Sequence, residues 1–221
     1  EIRLSLVGSE MCIRDRFNSA AMYADDRSLV DDRRTKALYP SWEYDLLVQK
    51  ANDALTPPAE TTRAMLAANV DMVLRIHRGG GFVISGTDSP LDNVAVSLHT
   101  NLRAMVRYGF TPWEALTTAT RNSARWLGRE SELGVVARGA LADLAFVAGD
   151  PLADIRAAAA VRMVMSGGVL RTVDELLAPF TAPASAGAPA MARRAIAFDH
   201  DHDDHHWWHQ PEWSQLVCCG A

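Results

Sequence analysis

The stretch FVISGTDSP, residues 82–90, decides how this chain is read. Phe82, Val83 and Ile84 form an unbroken apolar run. Gly79, Gly80 and Gly81 precede it, and Gly86, Thr87, Asp88, Ser89 and Pro90 follow. An apolar run without alternation is what a strand buried on both faces requires, and parallel sheets bury strands in that way. Helical patterns flank it, so the local unit reads helix, glycine stop, strand, polar loop, helix. Asp88 is thereby expected just past the carboxyl end of a buried parallel strand, where α/β folds gather their chemistry.

On the N-terminal side, Thr61 or Thr62 caps a predicted helix that runs to Arg78. Leu66, Val70, Val73 and His77 share one stripe of it, and Gly79 takes the C′ position. His77 suits a partly charged imidazole in the helix dipole better than a metal ligand, because no carboxylate or second histidine stands one turn away. On the C-terminal side a helix is predicted over 94–108, with Leu98, Leu102, Met105 and Val106 on one side and Gly109 as its stop. His99 lies in its first turns, close along the chain to Asp88. It is a candidate for contact with substrate or with the surroundings of a metal, packing or capping being the alternative.

Thr111-Pro112-Trp113-Glu114 then spells a capping box with proline at N1. Ala115, Leu116 and Ala119 give that helix a small-residue face, and Asn122 is expected to cap a short last helix ending at Leu127-Gly128. From Glu132 the texture turns to strands, predicted at 133–136, 142–147, 161–165 and 169–172. The last two flank a Ser166-Gly167-Gly168 hairpin.

The outer parts say less. Residues 17–58 read as a charged loop around Ser28-Leu29-Val30, then a helix over 42–54 stopped by Pro57 and Pro58. Trp42 and Tyr44 either line a pocket or bury against the domain. Residues 4–16, LSLVGSEMCIRDR, keep neither period and look like translated sequencing-adapter read-through, so 1–16 is expected to be a scar; a strand and turn over LSLVGSE is the alternative. Residues 176–198 form an Ala/Pro-rich linker. The tail over 199–221 opens DHDHDDHHWWHQ. There His200, His202, His205, His206 and His209 stand either as transition-metal donors or as a solvated, weakly chelating run.

At 221 residues the chain is long enough to bury a sizeable core, and a net charge of −5 argues against nucleic acid as the main partner. No apolar run approaches the ~20 residues of a membrane span. Cys12, Cys218 and Cys219 supply neither a disulfide framework nor zinc-knuckle spacing.

Read together, FVISGTDSP (82–90), SLHTNLRAMVRYGFTPWEALTTATRNSARWLG (97–128), ELGVVARGALADLAFVAGDPLADI (132–155) and VRMVMSGGVL (161–170) resemble the amidohydrolase superfamily. The likeness is strongest to its imidazolonepropionase-like and prolidase-like members. The resemblance implies an α/β fold: the C-terminal part of a (β/α)8 TIM-like barrel over 17–128, then strands of a small composite β-sandwich over 129–175. Residues 82–85 become the eighth barrel strand.

It also implies one or two divalent metals, zinc first among them, with Asp88 as a metal ligand. In the family that aspartate takes a proton from the attacking water and passes it to the leaving nitrogen. Thr87, Ser89 and His99 become substrate-pocket candidates. The implied activity is hydrolysis of carbon–nitrogen bonds in amides, cyclic amides or small peptides. Small-molecule or small-peptide substrates are the expected partners, and a homo-oligomer is compatible with it. The family's paired histidines on strand one, its Lys or Glu on strand four and its histidines on strands five and six have no counterparts here. A complete barrel needs ~250 residues, so the chain is expected to be a C-terminal fragment, inactive alone. The rival from another class is a non-catalytic metal-binding or interaction module working through the His/Asp-rich tail.

Overall fold

The computed structural model describes residues 21–23, 25–53, 59–87 and 96–181. The expectations for 1–16, for Asp88 and Ser89, and for the tail lie outside these residues. A 3-10 turn, Arg27–Leu29, leads into α1 (Arg33–Leu38), α2 (Ser41–Asp53) and α3 (Ala59–Arg78). Then come α4 (Val96–Arg107), α5 (Pro112–Ala119) and α6 (Arg121–Trp126). Strand β1 (Leu144–Val147), a 3-10 turn at Ile155–Ala159, β2 (Val161–Ser166), β3 (Val169–Thr172) and α7 (Val173–Thr181) complete the order.

The helical part is held by one apolar seam. Leu66, Val70 and Leu74 on α3 meet Leu102, Ala104 and Met105 on α4, with Phe110 and Ala115 closing it. These are i, i+4, i+8 positions on α3, so the stripe centres on Leu74, while the expected Val73 packs at its margin. His77 stacks beside Phe110 at 5.6 Å between ring centroids, a packing role rather than a ligand role.

Both long helices end in a Schellman motif. Gly80 (φ +87°) donates to the His77 carbonyl and Gly81 to Ile76, so the left-handed C′ residue is Gly80, one place later than expected. Gly109 (φ +119°) donates to Val106 and Phe110 to Met105, and this second motif carries Phe110 into the core.

A second seam gathers Tyr23, Leu29, Val30, Leu47 and Ala51 around Val96 and Ala159. Asp32 caps α1, where a loop was expected, by accepting from the Arg34 amide at 2.8 Å. Arg34 in turn donates to the Ala159 carbonyl at 2.7 Å, tying α1 to the second 3-10 turn.

The sheet is antiparallel, β1-β2-β3, with Leu144 opposite Met165 and Met165 opposite Leu170. The β2–β3 hairpin turns at Gly167 (φ +56°) and Gly168 (φ +80°), the two positive φ values that a tight hairpin needs. Two strand expectations fail. Residues 133–136 form a bend, because Gly134 sits at φ +76° and the Leu133 amide is already spent on the Arg129 carbonyl. Residues 82–85 run without a strand partner among the described residues. Val83 is buried, but Phe82 is 44% exposed with Arg125 over its ring. A strand exists only through its neighbours, and here other groups take the backbone bonds. The described chain is thus mixed helix and strand, and none of its helices is long and apolar enough to cross a membrane.

Candidate functional site

The segment leading to Thr87 is held from three sides. The Val83 carbonyl accepts from Asn122 Nδ2 at 2.8 Å, and the Ser85 amide donates to the Thr118 carbonyl at 3.1 Å. The Ser85 and Thr118 hydroxyls lie 2.5 Å apart, and the Gly86 carbonyl accepts from Asn101 Nδ2 at 2.7 Å. Asn122 therefore clamps this segment instead of capping α6, whose N-cap position belongs to Thr120.

Helix α5 can serve as the anchor because its start is fixed. Thr111 Oγ1 accepts from the Glu114 amide at 3.2 Å, and Glu114 Oε2 accepts from the Thr111 amide at 2.7 Å. This is the capping box read from the sequence. Arg78, at the end of α3, grips both Glu114 oxygens at 3.1 Å. The Arg78 bonds, followed by those from Thr111, hold the Glu114 carboxyl down at about 2. On the far side, Thr118 is fully buried, its hydroxyl bonded to the Ala115 carbonyl at 2.7 Å.

Thr87 stands at the end of this clamped segment, and Asp88 and Ser89, next along the chain, are outside the described residues. His99 lies on α4 and is joined to Thr87 by no hydrogen bond. Burial pushes its imidazole below the ordinary range, and the charges of Arg103 and Arg34 push it further. At neutral pH it is an uncharged ring, able to accept a hydrogen bond.

Sequence reading missed the group His99 faces. Arg103 on α4 is buried and bonds Asp26 at 3.0 Å and Ser28 Oγ at 2.9 Å through Nη1. Burial alone would raise the Asp26 carboxyl, but the bonds from Ser28 and the Arg103 charge outweigh it and hold it below its usual value. The available signal was Arg103 four residues after His99, next to the apolar Leu102, on a face that has to be buried. Among the described residues, no three His, Cys, Asp or Glu side chains stand together as a metal would require. These residues by themselves do not fit the metal site that the resemblance implies.

The sequence pattern of the Amidohydrolase family matches residues 23–171, more than half of the chain. The chain belongs to the amidohydrolase family. No curated protein matches it significantly. It is similar to a solved Xaa-Pro dipeptidase with bound methionine in the active site. The identity there is 23% over 71% of this chain and 33% of that one, with a TM-score of 0.44. It is similar also to a prolidase complexed with N-methylphosphonate-L-proline, at 25% identity over 58% of this chain and 33% of that one, with a TM-score of 0.44. The chain spans about a third of the length of these structures.

Proposed function

We propose that this chain is the C-terminal part of a metal-dependent hydrolase acting on carbon–nitrogen bonds in amides, cyclic amides or small peptides. The supporting observation is the family match over 23–171, a range that includes the FVISGTDSP stretch and its flanking helices. In this reading, residues 17–128 are the last strands and helices of a barrel, and 82–85 acquires its parallel neighbours from the rest of that barrel. Residues 129–175 belong to a smaller β-domain; the linker expected over 176–198 can begin only after α7 (Val173–Thr181), whose Leu177 is buried, and 199–221 is proposed as a tail.

Asp88 is the proposed metal ligand and acid/base group, with zinc as the proposed ion. Thr87, Ser89 and the uncharged His99 are proposed to line the substrate pocket. The three-sided clamp on residues 83–86 favours this reading, since a group that must meet a reacting bond has to be held from a rigid base. The test is a panel of Xaa-Pro dipeptides, N-acyl amino acids and cyclic amides offered to the intact parent protein. Turnover that a chelator removes and zinc restores supports the reading. A parent that cleaves none of the panel in the presence of zinc, manganese or cobalt refutes it.

A further inference from the structure

Every described glycine but one has a local reason to be glycine. Eight of them stand at positive φ, where a β-carbon is strained. Gly79 and Gly81 are hemmed in by the end of α3. A β-carbon on Gly79 would stand 3.1 Å from the Arg75 carbonyl oxygen, and one on Gly81 2.5 Å from Ile76 Cγ2. Gly86 meets neither condition. Its φ lies outside the left-handed region, and a β-carbon on it would meet no heavy atom within 4 Å among the described residues.

This bare position is also pinned. The Ser85 amide before it donates to the Thr118 carbonyl at 3.1 Å, and the Gly86 carbonyl accepts from Asn101 Nδ2 at 2.7 Å. A glycine with ordinary backbone angles and open space around it lowers stability relative to alanine, because its unfolded chain has more conformations to lose. Nothing among the described residues offsets that cost. What a missing β-carbon does supply is close approach: another group can lie flat against the backbone at van der Waals distance. Gly86 is exposed and stands two residues before Asp88 in the chain.

We propose that Gly86 is a specificity-determining position: the substrate's amide plane lies against its bare α-carbon, next to the scissile bond. The inference rests on the hydrolase reading, with Asp88 as its reacting group. A wall held from both sides does not retreat, so the residue at 86 sets how much bulk fits beside that bond. A methyl group there excludes large substituents before small ones, by the roughly 10–200-fold that one methylene of misfit is worth.

Gly86→Ala and Gly86→Val are made in the full chain and in the intact parent. Gly86→Ala is expected to melt at or above the wild-type Tm in both, since the methyl meets no neighbour and the unfolded state loses freedom. In the parent, kcat/KM is measured on substrates of the panel that differ only in bulk beside the scissile bond. Gly86→Ala is expected to lower it at least about tenfold for the bulkiest member and less than about threefold for the smallest, with Gly86→Val moving the cut-off to smaller members. Undiminished stability together with a narrower substrate range separates substrate contact from a structural role. A lower Tm of Gly86→Ala in either protein overturns the proposal, because the room is then filled by the protein itself. Equal losses along the series, or none, overturn it too and leave the hydrolase reading standing. A wild-type parent that cleaves none of the panel refutes the hydrolase reading and this inference with it.

Discussion

Thr118→Val is the sharpest perturbation of the seat beneath Thr87. The change keeps the volume and removes one hydroxyl from a fully buried position. It leaves Ser85 Oγ without the partner it holds at 2.5 Å and the Ala115 carbonyl without its side-chain donor at 2.7 Å. An orphaned hydroxyl in a half-buried site costs about 2 kcal/mol. In a chain of this size that lowers Tm by roughly 4–8 °C. Ser85→Ala, made alone, removes the same pair but costs less, because the Thr118 hydroxyl keeps its bond to the Ala115 carbonyl at 2.7 Å. The double variant Ser85→Ala/Thr118→Val removes both ends together, and its cost is expected to fall short of the sum of the singles by about 1 kcal/mol. Urea denaturation of the four proteins closes the cycle. Strict additivity, or a Thr118→Val protein as stable as its parent, refutes the claim that α5 anchors the segment through this pair.

Other outcomes follow from the same structure. Glu114 has a folded-state pKa of about 2 against an ordinary 4.5, so its contribution is fully present above pH 4.5 and is lost as pH falls from there through about 2. Glu114→Gln should flatten that stretch of the stability–pH curve, and an unchanged slope contradicts the assignment. Gly134→Ala places a methyl 2.6 Å from the Thr120 carbonyl oxygen at φ +76°, so a loss of more than ~1 kcal/mol is expected from thermal denaturation. A neutral substitution there would mean that the bend at 133–136 is wrong.

Much of the helical layer was legible because its signals are local. The α3 stripe, the Thr111–Glu114 box and the glycine stops each depend on residues within a turn or two of one another. The Gly167-Gly168 hairpin was legible for the same reason. Two helices went unread although caps announced them. Asp32 stands before α1, and Thr172-x-x-Glu175 spells a second capping box before α7, with Glu175 Oε2 accepting from the Thr172 amide at 2.6 Å. Charge in one case and the Ala/Pro-rich surroundings in the other masked them.

The strand expected at 82–85 failed for a different reason. Its apolar run states that it is wanted inside a sheet, but pairing is a property of the neighbours and not of the run. The Arg103 cluster lay beyond local reading altogether, since Asp26 and Arg103 are 77 positions apart in the chain. What remained legible was a resemblance over residues 82–172, and the family match over 23–171 contains all of it but the final residue.

The decisive measurement is turnover by the intact parent carrying Asp88→Asn, assayed on the best substrate of the panel with Tm recorded alongside. Loss of activity with Tm unchanged is the expected result. Near-wild-type turnover would contradict the assignment of Asp88 and, with it, the proposed chemistry.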